Sequence, residues 1–91
     1  MTYILTRITV PDYDAWKANF DKDEPGVRTS ANGWQVFRSV ENPNEVFIKV
    51  EFDSTDEANA GRERLLASGI LDRFDDKNGP TVVEEAEAVS R

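Results

Sequence analysis

The chain contains no cysteine and no histidine. Without cysteine there is no disulfide, no thiolate nucleophile and no thiol redox chemistry. Histidine is the ordinary proton shuttle at neutral pH and the commonest imidazole ligand for zinc, iron and copper. Lacking both, the chain has no credible ligand set for zinc, haem or blue copper, and Ser-His-Asp and Cys-His mechanisms are excluded within it. Basic residues are also in deficit, 11 against 18 acidic ones, for a net charge of −7. An acidic surface repels phosphate, so nucleic acid and anionic membranes are not expected partners. No apolar run approaches the roughly 18 residues of a membrane span. Met1 is followed directly by a strand pattern, so no signal peptide is expected, and the cytoplasm is the expected setting. Carboxylates alone could hold magnesium or calcium. Asp72, Asp75, Asp76 and Asn78 gather near Gly79, but the alternate-position ligands and distal glutamate of a calcium loop are missing. That segment reads as a solvated acidic turn. Neither a metal nor a cofactor is expected.

What is present is an ordered series of patterns. TYILTRITV (2–10) reads as a strand, PDYDAWKANFD (11–21) as a helix, and WQVFRSV (34–40) and VFIKVEF (46–52) as strands around the turn Glu41-Asn42-Pro43-Asn44. STDEANAGRERLLAS (54–68) reads as a second helix and PTVVEEAEAV (80–89) as a closing strand. This βαββαβ order specifies one α+β domain over residues 1–91, a four-stranded antiparallel sheet with both helices on one face. In the first helix Asp12 is the expected N-cap, and Tyr13, Trp16 and Phe20 form an apolar stripe at i, i+3 and i+7. In the second, Ser54 and Glu57 have capping-box spacing. Ala58, Gly61, Leu65 and Leu66 form its expected buried stripe. Gly69 suits a left-handed C-cap, and Ile70, Leu71 and Phe74 suggest a further short turn that plugs the core.

Strand alternation assigns the faces. Ile4, Ile8 and Val10 share one face with Val46, Ile48, Val50 and Phe52 and belong against the helices. Tyr3, Leu5, Arg7, Phe47, Lys49 and Glu51 then occupy the bare face. Large apolar groups among them predict that a second copy of the chain covers this face, as a homodimer. A four-residue turn at 41–44 adds Trp34, Val36 and Arg38 to the bare face; a three- or five-residue turn presents Gln35, Phe37 and Ser39 instead. The weak alternation of this strand leaves both open.

The βαββαβ order, the first-helix motif Val10-Pro11-Asp12-Tyr13-Asp14-Ala15-Trp16-Lys17, the hairpin Arg38-Ser39-Val40-Glu41-Asn42-Pro43-Asn44-Glu45-Val46, and the entry Glu51-Phe52-Asp53-Ser54 into the second helix resemble the dimeric α/β-barrel superfamily, ferredoxin-like in fold. Antibiotic-biosynthesis monooxygenase-like, stress-responsive, muconolactone-isomerase-like and polyketide-cyclase-like proteins belong to it. The resemblance implies a 4-1-3-2 strand order, two bare faces closing into a barrel across a two-fold axis, and ligands in the cleft between sheet and helices. The haem-degrading and chlorite-decomposing relatives depend on histidine, which this chain lacks.

Candidate functional residues follow from charge and from loop length. Arg7 and Glu51 lie on neighbouring central strands in that order. They read as an ion pair at the dimer seam, or as a ligand-carboxylate clamp beside a carboxylate base. Lys49 reads as a solvated or seam-covering side chain. The irregular segment DEPGVRTSANG (23–33) is long for so small a domain. With Trp34 it offers Arg28 and Asn32, and Arg38 lies close in sequence, as candidate ligand-binding residues. The resemblance implies the same side-chain types, since cofactor-free oxygenases of that superfamily use Asn, Trp and Arg to hold an aromatic substrate. Two function classes are carried forward. One is a small enzyme acting without metal or flavin, a cofactor-independent monooxygenase, isomerase or cyclase on an aromatic or polyketide-like substrate. The other is a non-catalytic homodimer that binds a small planar or hydrophobic molecule in the sheet–helix cleft or serves as a structural or stress-associated module; a cleft filled by Tyr13, Trp16, Phe20 and Phe74 would favour the inert form.

Overall fold

The computed structural model describes residues 1–23 and 26–90, so Glu24 and Pro25 of the long connection lie outside the described residues. The order is β1 (Thr2–Thr9), α1 (Tyr13–Lys22), β2 (Gly33–Arg38), β3 (Glu45–Phe52), α2 (Thr55–Ala67), a short 3-10 helix (Ile70–Arg73) and β4 (Lys77–Glu84). The strands form one antiparallel sheet in the order β2-β3-β1-β4. With the helices on one face this is the ferredoxin-like α+β sandwich, in the strand order that the resemblance implied. No helix among the described residues is long and apolar enough to cross a membrane.

Alternation decides the two faces as the sequence suggests. Ile4, Ile8, Val46, Ile48, Val50 and Phe52 are buried towards the helices, together with Thr2 and Thr6. On the opposite face β1 and β3 pair Tyr3 with Glu51, Leu5 with Lys49 and Arg7 with Phe47. The open question about β2 is resolved by its register. Gln35 pairs with Lys49 and Phe37 with Phe47, and the Ser39 N–H donates to the Glu45 carbonyl. The connection is therefore five residues, 40–44, not the four-residue turn. It is held locally: the Asn42 N–H donates to Ser39 Oγ, and the Asn44 N–H to Asn42 Oδ1. Gln35 and Phe37 join the bare face, while Trp34, Val36 and Arg38 turn to the helix side.

β4 begins at Lys77, three residues earlier than its sequence pattern. Leu5 pairs with Thr81 and Arg7 with Asn78, so Gly79 and Pro80 both stand opposite Thr6 in a bulge. Gly79 has φ +86°, and a Cβ there would lie 2.5 Å from the Leu5 carbonyl oxygen. Only glycine fits. The strand ends at Glu84 and not at 89, and the Glu85 N–H donates to the Met1 carbonyl just beyond it.

The helices pack unequally. Ser54 Oγ accepts from the Glu57 N–H at 3.1 Å and caps α2. The return arm of the capping box is not made: one Glu57 carboxylate oxygen is buried with no partner among the described residues. Ala58 and Gly61 are buried, and a Cβ on Gly61 would come 3.1 Å from Phe52 Cζ, so this glycine lets α2 lie close to the sheet. Leu65 is half-buried, but Leu66 turns to solvent, contrary to expectation. Gly69 terminates α2 with φ +69°, and the 3-10 helix behind it delivers Leu71 to the core. In α1, by contrast, no residue is buried. Tyr13, Trp16 and Phe20 line one side, ring centroids 5.8 and 4.9 Å apart, and only partly close over the core. Asp12 occupies the N-cap position in extended conformation, without a side-chain capping bond.

Candidate functional site

Because α1 stands off the sheet, a cavity of about 370 Å³ lies beneath it, within the usual size range of small-molecule pockets. Its floor is Ile4, Thr6 and Ile8 of β1 and Ile48 and Val50 of β3. Trp16 and Phe20 face it from α1, and Val27, Leu65, Leu71 and Phe74 close it. Polar groups on its wall are few: Thr6 in the floor, Asp12 and Asn19 on α1, Asp23, Arg28, and Arg73 on the 3-10 helix. The aromatic stripe that reads as core in sequence thus covers an opening rather than filling it.

Among the residues predicted to bind a ligand, Arg28 lines this cavity. Its side chain is only 6% exposed. The guanidinium lies 3.8 Å over the Phe20 ring and 4.7 Å from that of Trp34, and it donates to the Phe20 carbonyl. Arg28 Nε is 3.5 Å from the Asp23 carboxylate, which also accepts the Arg28 backbone N–H at 3.1 Å. Asp23 is the left-handed C-cap of α1, with φ +47°. Arg28 thereby ties the end of α1 to β2, a binding capacity already spent within the chain.

The other three candidates lie outside the cavity wall. Trp34 is half-exposed and covers Arg28 from the β2 side. Asn32 donates its amide to Asp53 at 2.5 Å. Arg38 lies 3.8 Å over the Tyr13 ring and donates to the Pro43 carbonyl at 2.9 Å. Sequence proximity suggested one cluster; the β2 register instead distributes these groups along the edge of the sheet. Asn19 and Arg73, which do line the cavity, carry no sequence signal beyond polarity on an otherwise apolar stripe or turn.

On the bare face, Tyr3, Leu5, Arg7, Phe47, Lys49 and Glu51 share one surface, joined by Phe37. The expected pairing of Arg7 with Glu51 is not made within the chain. Four ladder steps, about 13 Å, separate them, and Arg7 is closer to other carboxylates. It lies 2.6 Å from Glu45 and 2.8 Å from Asp76, and Thr9 Oγ1 donates to Asp76 at 2.9 Å. Hydrogen bonds to Asp76 and then Glu45 raise the pKa of Arg7 further. The same contact with Arg7, helped by Thr9, holds Asp76 below the ordinary carboxylate range. At the other end of the face Lys49 Nζ lies 5.0 Å from the Tyr3 ring centroid. Burial, then Glu85 and Glu51, pushes the Tyr3 phenol upward. Among the described residues no three carboxylates converge to form a metal cluster.

No protein-family model matches the chain, and no curated protein matches its sequence. Solved structures do resemble it in fold. A candidate antibiotic biosynthesis monooxygenase from Deinococcus radiodurans superposes with a TM-score of 0.68 at 14% identity, covering 100% of this chain and 98% of that one. Rv0793 from Mycobacterium tuberculosis gives 0.68 at 15%, over 98% of each chain. A candidate antibiotic biosynthesis monooxygenase from Bordetella bronchiseptica gives 0.66 at 18%, over 97% and 96%. The fold is therefore the one found in antibiotic biosynthesis monooxygenase-like proteins, as the sequence resemblance implied.

Proposed function

We propose that the protein is a homodimer that binds a small planar, apolar molecule in the cavity between α1 and the sheet of each protomer. The observation that carries this reading is the stand-off of α1: an aromatic helix face and an apolar sheet face enclose space instead of closing on each other. A close-packed core leaves few voids larger than a water molecule. A cavity of this size beneath partly exposed aromatic rings suits a ligand with flat faces, which gains both burial and ring stacking. The same space weighs against a purely structural dimer, for which the aromatic stripe would fill the cleft. An acidic, cysteine-free chain also suits the cytoplasm.

A second reading adds chemistry to binding: cofactor-independent oxygenation, isomerisation or cyclisation of an aromatic or polyketide-like molecule. It is supported by the structural neighbours described as candidate antibiotic biosynthesis monooxygenases. Without histidine or cysteine, such chemistry would draw on the substrate's own reactivity. The protein would hold it in place and stabilise developing negative charge.

Trp16 lines the cavity and Trp34 does not, so a Trp34→Phe variant reports on the cavity through Trp16 alone. Titration with planar phenols and polyketide-like aromatics is expected to quench that fluorescence. Ala15→Phe, at an exposed position on the cavity wall, is expected to weaken binding at least tenfold with the helical circular dichroism unchanged. Absence of any binding at millimolar concentration, or binding indifferent to Ala15→Phe, would remove the proposal.

A further inference from the structure

The cavity opens between two banks. At the N-cap of α1 and along it, Asp12, Ala15 and Asn19 are exposed and line it; on the 3-10 helix, exposed Arg73 and half-buried Ile70 do. Two cationic side chains thus reach the wall, and they differ in availability. Arg28 is buried and engaged with Phe20, Trp34 and Asp23. Arg73 makes no ion pair or side-chain hydrogen bond with any described residue, and neither does the Asn19 amide across the slot. The carboxylates on the wall are likewise unequal: Asp23 faces Arg28 at 3.5 Å, whereas Asp12 is exposed to water, where its repulsion of an anion is weak and screened.

We propose that the ligand is an amphipathic acid: a planar apolar body under α1, with one anionic oxygen group at its edge received by Arg73 at the mouth and by the Asn19 amide opposite. The group is a carboxylate or an ionised enol or phenol, the chemistry a guanidinium fork recognises best. An apolar cavity alone discriminates poorly among flat molecules. An arginine that makes no ion pair or side-chain hydrogen bond among the described residues supplies polarity and orientation together, and its exposure places the acidic edge towards solvent, where the group keeps part of its hydration. The inference rests on the cavity being a ligand site, which the test below separates from the role of Arg73.

Three probes share one ring system: 2-naphthoic acid, neutral 2-naphthamide and cationic 2-naphthylmethylamine. Calorimetric titration at low ionic strength is expected to show the acid binding wild-type protein about two- to fivefold more tightly than the amide, the range of an exposed charge-assisted contact. The amine is expected to bind most weakly. Arg73→Gln is expected to erase the preference for the acid while leaving amide affinity unchanged, and Arg73→Lys to keep part of it. Arg73 is exposed and pairs with no carboxylate among the described residues, so both variants are expected to keep the wild-type melting temperature. If acid and amide bind equally and Arg73→Gln changes neither, the role of Arg73 is overturned and the cavity reading stands. Preference for the amine overturns it in favour of Asp12. If none of the three binds at millimolar concentration, the cavity reading fails and this inference with it.

Discussion

The guanidinium of Arg28 lies 3.8 Å over the ring of Phe20 and donates to that residue's own backbone carbonyl. One side chain therefore adds a second donor to a carbonyl that already accepts the Asp23 N–H, pairs with the C-cap Asp23 and stacks on the helix's last aromatic residue. Since α1 buries nothing of its own, this attachment is a main fixed point of the cavity roof. Arg28→Ala is expected to destabilise the protein by about 1–3 kcal/mol, because it leaves the Asp23 carboxylate short of its cation and removes the stacking on Phe20 and Trp34. Arg28→Lys keeps the charge but loses the planar fork, and a smaller loss is expected. Urea denaturation followed by circular dichroism measures both; a change below about 0.5 kcal/mol for Arg28→Ala would contradict the role given to it.

Arg7 and Asp76 make the fold sensitive to acid. The folded-state pKa of Asp76 is depressed, by Arg7 first and Thr9 second. A depressed carboxylate contributes stability above its unfolded pKa and loses that contribution as pH falls through the folded value. Stability is thus expected to decline from about pH 4 downward, as the bond from Arg7 to the start of β4 is lost. Asp76→Asn is expected to lower the melting temperature at pH 7 and to flatten the decline below pH 4. Equal slopes for variant and wild type over that acid range would assign the acid sensitivity to other carboxylates.

Much of the fold is legible in the sequence, because β1, β3 and α2 each carry redundant signals. Val46, Ile48, Val50 and Phe52 alternate without exception, and Ser54, Gly61 and Gly69 each mark a position that only a capped, closely packed helix explains. β2 and β4 are less legible for identifiable reasons. The β2 face depends on whether the hairpin connection has four or five residues, which the hydrogen bonds of Ser39 and Asn42 decide. Asn78-Gly79-Pro80 reads as a strand breaker, yet the breaker is absorbed as a bulge opposite Thr6. The site is the least legible part. Arg28 stands out in a long loop and does line the cavity; Trp34 covers Arg28 from outside the wall, and Asn32 and Arg38 find partners elsewhere. Asn19 and Arg73 come to line one cavity only through the tertiary fold, a relationship with no local pattern.

The bare face bears on assembly. Leu5, Phe37 and Phe47 are 42, 48 and 39% exposed in the isolated protomer, with the Arg7 cluster at one end and Lys49 with Tyr3 at the other. Phe37 and Phe47 are direct cross-strand partners, so their rings form a continuous apolar patch beside Leu5, a surface that calls for cover in water. Arg7, Glu45 and Asp76 are already satisfied among themselves, so association is expected to draw on the apolar centre and to survive high salt. A stable interface here would bury on the order of 1,500 Å² in total. The 10.3 kDa chain is expected to sediment at twice its mass at micromolar concentration, in 0.1 and 1 M salt alike. Phe37→Glu, at a position on the edge strand outside the core, is expected to shift the protein to monomer while preserving its circular dichroism. A wild-type protein that sediments as a monomer at tens of micromolar would overturn the dimer, and with it the barrel closed by two bare sheets.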